Sequence, residues 1–308
     1  MSAPKSLWRT VRTVVREPTW PTSVPRPPVE RRTGVDFDTD WSRRYGVRLA
    51  RAVVLDGVTR PLLHAVASPD IRGLDRIEQL HGPAVFAANH ASHVDTPLLL
   101  ASLPPRFRHR AAVGAGADYF FDKRWKGALW AFAINAVPIE RNRPSPRSVR
   151  LAGSLIADGW SLLIFPEGSR SPDGWGQPHH PGPAYLAARA GVPLVPVHLE
   201  GTRRILGKGA NRVRPGRTTI TFGAPLYPET DEDARALAAR LEAALAVLAD
   251  EQSSDWWSAR KRAAAGTTPA LTGPAAPAWR RAWALPNGPR RRSPSTARPW
   301  PHLSDWRT

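Results

Sequence analysis

PAVFAANHASHVDTPLLLASL, residues 83–103, decides the kind of fold this chain takes. PAVFAA is a short apolar run without polar alternation, the pattern of a strand buried on both faces, whereas TPLLLASL has the length and composition of a helix. Between them stand Asn89, His90, His93 and Asp95, and Pro97 rules out further strand. A strand that passes through a polar turn into a helix is the unit of an α/β fold.

The same alternation continues outward. RAAVGA, AVPIE, SLLIFP, VPLVPVHLEG and RTTITFGAP read as strands, and KGALWAFAI, PRSVRLAGSLIADG and AYLAARAG as the helices between them. The fold class expected is therefore α/β, a mostly parallel sheet flanked by helices, with its chemistry in loops beyond the strand ends. Residues 41–67 read as one or two amphipathic helices ahead of the sheet, and DEDARALAARLEAALAVLADE, residues 231–251, as the closing helix.

The formal charge of +18 is concentrated at the two ends. Residues 1–34 hold seven basic against two acidic side chains, and residues 258–308 hold ten against one. Such arms suit an anionic surface, either a membrane or a nucleic acid. In KSLWRTVRTVVRE, Leu7, Trp8, Val11, Val14 and Val15 share one helical face and Lys5, Arg9, Arg12 and Arg16 the other, the pattern of a helix lying in a membrane interface. A short helix docking on its own domain would look the same. PTWPTSVPRPPVERR then reads as a Pro-rich linker, and the Ala, Pro, Gly, Ser and Arg composition beyond Trp257 as a disordered tail. No apolar run reaches the roughly 18 residues needed to cross a bilayer, and no signal peptide is read. With no cysteine in the chain, disulfides and Cys-based zinc sites are excluded.

His90 and Asp95 are spaced H-x4-D. On an ideal helix they would diverge by about 140°, so direct contact requires a loop that curls at the strand end. A neutral imidazole that takes a proton from a hydroxyl, held by a carboxylate, is a general base. Ser92 and Asp95 also fit a capping box at the start of the next helix, and that reading stands beside the catalytic one. In FPEGSRS, residues 165–171, Glu167, Gly168, Ser169 and Arg170 follow a buried strand in a turn that either cradles phosphate or is an ordinary glycine turn with a solvated Arg. VPIERN, residues 137–142, places Glu140 and Arg141 after another strand, and Pro196 interrupts VPLVPVHLEGT, which suggests a bent strand beside a pocket.

NHASHVD, VPIERN, FPEGSRS and VPLVPVHLEGT resemble, in order and rough spacing, the four motif blocks of the glycerolipid acyltransferase family, the 1-acyl-glycerol-3-phosphate acyltransferases. The resemblance covers about residues 70–228. It implies an acyltransferase domain, taken as residues 41–257; the basic amphipathic helix and linker (1–40) before it and the disordered tail (258–308) after it are read from composition and periodicity, and the family explains neither. It implies that His90 and Asp95 are the catalytic pair and that Arg141, Glu167, Gly168, Ser169 and Arg170 bind the acceptor phosphate, with Pro196 at the pocket. The activity implied is transfer of a fatty acyl group from acyl-CoA or acyl carrier protein to the sn-2 hydroxyl of 1-acyl-glycerol-3-phosphate, giving phosphatidic acid at the cytoplasmic face of a membrane. No cofactor and no metal is expected. His93, Ser169 and Glu140 depart from the residues most frequent in these blocks; Ser169 and Glu140 keep the chemical group, whereas His93 changes it. Two other classes compete. His90, His93 and Asp95 are metal-ligand types, as in a metal-dependent hydrolase, and the Arg-rich ends with Trp279, Trp283, Trp300 and Trp306 suit a nucleic-acid-binding protein. Neither explains the four ordered blocks, and no nucleic-acid partner is expected.

Overall fold

A computed structural model of the chain describes residues 34–140, 146–277, 279–281 and 285. The expected interfacial helix at residues 5–17, Arg141, and Trp283, Trp300 and Trp306 lie outside the described residues.

The chain enters through a helical arm, α1 (Tyr45–Val54), a π-turn (Leu55–Thr59) and α2 (Arg60–Ala67). It then alternates β1 (Pro69–Arg72), β2 (Val85–Ala88), α3 (Asp95–Ser102), β3 (Ala111–Gly116), α4 (Arg124–Ile134), β4 (Ala136–Ile139), α5 (Pro146–Ala157), β5 (Ser161–Ile164), α6 (Gly182–Ala190), β6 (Leu194–Glu200) and β7 (Thr218–Phe222). Helices α7 (Ala234–Ser253) and α8 (Trp256–Ala264) follow. Among the described residues the strands form one seven-stranded sheet, ordered β1-β7-β6-β2-β5-β3-β4, in which only the β6–β7 pairing is antiparallel.

The apolar runs lack alternation because both faces are covered. Phe86, Val113 and Leu163 face one core with Leu98, Leu99 and the arm residue Leu63. Val85, Ala87 and Leu162 face the other with Leu155, Leu186, Leu237 and Leu241. Strand β1 was not read from the sequence, because PDIR alternates half-buried and exposed residues at the edge of the sheet and has no apolar run.

This winding places the site. From β2 the chain crosses by α3 on one face towards β3, whereas from β5 it crosses by α6 on the other face towards β6. The direction of winding reverses between the neighbouring strands β2 and β5, where the ends of the strands open a crevice. Ala87 pairs with Ile164, so the NHASHVD and FPEGSRS turns leave the sheet side by side at the same level.

Two expectations are corrected. Residues beyond 257 do not form a structureless tail as far as they are described. The Arg262 guanidinium donates to both carboxylate oxygens of Asp250 on α7, at 2.6 and 2.8 Å, and so docks α8, and Leu271 packs on the second core. Composition alone reads as disorder because these contacts are long-range. Pro196 sits in β6 but does not line the central cavity. It packs against Gly223 and accepts that residue's N–H at 2.8 Å. The ladder resumes at Leu194 and Leu226, with one more residue on the facing strand. The bulge removes any need for the N–H that proline lacks.

Asn135 holds the turn just ahead of the arm to the sheet. It ends α4 in the left-handed region (φ 51°), accepts from Ser42 Oγ at 3.0 Å and donates to the Ala111 carbonyl at 2.9 Å. Asn135→Ala removes both buried bonds from a conformation that alanine resists, and a loss of about 2–4 kcal/mol is expected. Urea unfolding at unchanged m-value checks it.

Candidate active site

The turn after β2 is pinned from several sides before any chemistry is considered. Asn89 closes a two-way bond with Leu199 of β6, donating to its carbonyl at 2.9 Å and accepting its N–H at 2.7 Å. Ser92 Oγ and the His93 N–H both donate to the Leu206 carbonyl. The chain therefore curls as the H-x4-D spacing requires.

Inside the curl Asp95 is fully buried, and a single oxygen, Oδ2, receives three groups: His90 Nδ1 at 2.8 Å and the Ala91 and Ser92 amides at 2.7 Å each. These bonds curl the turn ahead of α3, which begins at Asp95 with Val94 at its N-cap and no side-chain cap. Of the two readings of Asp95, the contact with His90 is the one formed. A carboxylate on Nδ1 leaves His90 Nε2 as the nitrogen available for proton transfer. The imidazole also stacks on Phe165, with ring centroids 4.0 Å apart and planes 19° apart, so its orientation is fixed by contact as well as by hydrogen bonding.

The backbone of His90 is held by the neighbouring loop. Its N–H donates to Glu167 Oε1 at 2.9 Å, and its carbonyl accepts the Ser171 N–H at 2.8 Å. Glu167 Oε2 accepts the Gln177 N–H at 3.1 Å. Here the sequence expectation is corrected: Glu167 is only 4 % exposed and does not line the cavity, so it is a buckle between loops rather than a ligand for phosphate. Burial pushes its carboxyl up to about 7, against the pull of its two amide donors, and the Asp95 charge adds to the rise.

Gly168, Ser169 and Arg170 do face the cavity, together with His90 and His93. Gly168 has φ 67°, the left-handed conformation that glycine supplies to a tight turn. Arg170 Nη1 is buried without a hydrogen-bond partner, a donor awaiting an acceptor. His93 is held below its ordinary pKa by burial first and then by the nearby Arg170 and His90 charges, with Asp95 opposing. Among the described residues, no three His, Asp or Glu side chains are grouped to hold a metal ion.

The cavity measures about 1220 Å³. Beyond His90 one lobe runs between the arm, α3 and α4 and is lined by Leu100, Val113, Phe120, Trp130 and Ile134. Its wall includes Gly114, where a side chain would meet Ile139. Sequence reasoning missed this lobe, whose lining comes from elements far apart along the chain.

Residues 68–200 match the family described as Acyltransferase. The chain is 30 % identical over 162 residues to the chloroplastic 1-acyl-sn-glycerol-3-phosphate acyltransferase BAT2 of Brassica napus, covering 51 % of this chain and 45 % of that one. It is 27 % identical over 143 residues to the 1-acyl-sn-glycerol-3-phosphate acyltransferase of Bacillus subtilis, covering 46 % of this chain and 66 % of that one. The chain thus spans about half the length of the plant relatives it matches. In fold it is similar to the crystal structure of the 1-acyl-sn-glycerophosphate acyltransferase PlsC from Thermotoga maritima, with TM-score 0.53 and 24 % identity over 70 % of this chain and 87 % of that one. All four sequence blocks begin within the residues that match this family.

Glu167 gives a pH test of the buckle. The folded protein holds this proton up to about pH 7, whereas an unfolded chain releases it near the ordinary value of 4.5. Stability from this group is present below about pH 4.5 and is lost as pH rises to about 7, a fall on the order of 3 kcal/mol. Urea stability measured from pH 4.5 to 8 is expected to show this slope, and Glu167→Gln to flatten it.

Proposed function

We propose that the chain transfers a fatty acyl group from a thioester, acyl-CoA or acyl carrier protein, to the sn-2 hydroxyl of 1-acyl-glycerol-3-phosphate, forming phosphatidic acid. The observation that carries this reading is the convergence on one cavity of the His90–Asp95 pair, an unpartnered Arg170 donor and an apolar lobe. A base, an anion ligand and a place for a hydrocarbon chain are what acyl transfer between two lipids needs.

In the proposed reaction, His90 Nε2 takes the proton of the sn-2 hydroxyl while Asp95 on Nδ1 stabilises the imidazolium. The oxygen attacks the thioester carbonyl, the C–S bond breaks as the tetrahedral intermediate collapses, and the imidazolium returns its proton to the departing thiolate. Arg170 and Ser169 hold the acceptor phosphate. No acyl-enzyme is formed on this route, and no cofactor takes part.

We propose the cytoplasmic face of a membrane as the place of this reaction, and an apolar surface of the arm supports a membrane contact. Tyr45, Leu49, Val53, Val58 and Leu62 are all exposed along the arm, at spacings of four, four, five and four. The π-turn adds the residue that keeps the stripe on one face. Trp125 and Leu129 on α4, which packs beside α1, are exposed as well. Such an apolar patch suits a lipid surface. Among the described residues no helix is long and apolar enough to cross a membrane.

His90→Ala is expected to lower turnover about 10²- to 10⁴-fold in a folded protein, and Asp95→Asn to act in the same direction. Acceptors are compared directly: wild type should prefer lysophosphatidate to monoacylglycerol, and Arg170→Ala should lose that preference about 10- to 150-fold through KM. A wild type that favours the uncharged acceptor would sink the substrate assignment. Leu49→Asp with Val53→Asp should abolish flotation with vesicles; unchanged flotation places the membrane contact elsewhere.

A further inference from the structure

We propose that the described residues of Thr267–Arg281, beyond the residues that match the acyltransferase family, are a strap that positions His90, with Arg281 and Trp175 as its positioning residues. The strap crosses the 171–177 loop and is bonded to it at three points. The Leu271 carbonyl accepts the Gly176 N–H at 3.0 Å, the Arg281 carbonyl accepts Trp175 Nε1–H at 2.8 Å, and Arg281 Nε donates to Asp173 Oδ2 at 2.7 Å. Gly273 lies against the Trp175 indole where any Cβ would collide, so the strap meets the loop at close range. Arg281 also donates to the Pro274 carbonyl at 3.0 Å, which folds the strap back on itself.

The loop in turn is the other half of the His90 support. Ser171 Oγ donates to the Trp175 carbonyl and accepts the Gly174 N–H, while the Ser171 amide donates to the His90 carbonyl. Gln177, at the end of the loop, donates its amide to the same Glu167 carboxylate that accepts the His90 amide. Each of the two bonds that fix the His90 backbone therefore has a continuous route of hydrogen bonds and short chain segments back to the strap. A general base must hold its geometry to well under 1 Å, and a support shared with a distant segment is a means of doing so.

The activity arm of the test rests on the acyl-transfer reading; the exchange arm does not. Full-length wild type, Arg281→Ala, Arg281→Lys, Arg281→Ala with Trp175→Phe, and Arg262→Ala as a control are compared. The control breaks the α7–α8 ion pair, outside the loop. Amide hydrogen exchange at His90, Ser171 and Gln177, followed by NMR, is expected to quicken about 5-fold or more in Arg281→Ala and further in the double variant. Arg281→Lys should restore most of the protection, and Arg262→Ala should lower stability without changing these amides. In acyl transfer, kcat should fall on the order of 3- to 10-fold with the acceptor KM nearly unchanged. Unchanged exchange at His90 in the double variant overturns the proposal. So does faster exchange with wild-type kcat, or an equal effect from Arg262→Ala. If wild type transfers no acyl group to any acceptor, the acyl-transfer reading fails while the His90 amide still decides the strap.

Discussion

Glu167 accepts the His90 amide on one carboxylate oxygen and the Gln177 amide on the other, in a setting almost closed to water. A buried carboxyl is costly unless its lone pairs are satisfied, so the two loops have to close on it together. The sheet makes the meeting possible. Because Ala87 and Ile164 are paired on parallel neighbours, His90 and Glu167 each stand three residues beyond the same level. Strands that lie about 4.8 Å apart bring those positions within reach of a side chain.

Asp95 illustrates how much a short turn can do with one carboxylate. Oδ2 organises two backbone amides and an imidazole at once, so the bonds that curl the turn ahead of α3 also hold the His90 ring. Turn formation and ring orientation are one arrangement here. With Phe165 stacked on the ring, His90 has little freedom left, and Arg170, on the turn that follows Phe165, brings a guanidinium to the same cavity.

The site was only partly legible because sequence reports residue type and order, not the direction in which a side chain turns. Glu167 and Arg170 stand three apart in the same turn, yet the first points into the protein and the second borders the cavity. Pro196 carries a clear signal of interrupted pairing, but the interruption serves a bulge against Gly223 rather than a pocket. The segment from Thr267 to Arg281 has the composition of a loose tail, and it is held by Trp175 and Asp173, about a hundred residues earlier. Edge strand β1 was invisible because Asp70 and Arg72 face solvent.

By itself the sequence determined the α/β class and the parallel core, and it set His90 and Asp95 where a curled turn could bring them together. Continuous apolar runs that alternate with helical segments can bury both faces of a sheet in few other ways, and a His and an Asp five residues apart after a strand can touch only in a curled turn. Only the tertiary structure decided which charged groups face the cavity, where the apolar lobe runs and that Leu271 and Arg281 are bonded to the 171–177 loop. Those features depend on contacts between residues distant in the chain, whose closeness is set by strand order and packing and leaves no periodic trace in the local sequence.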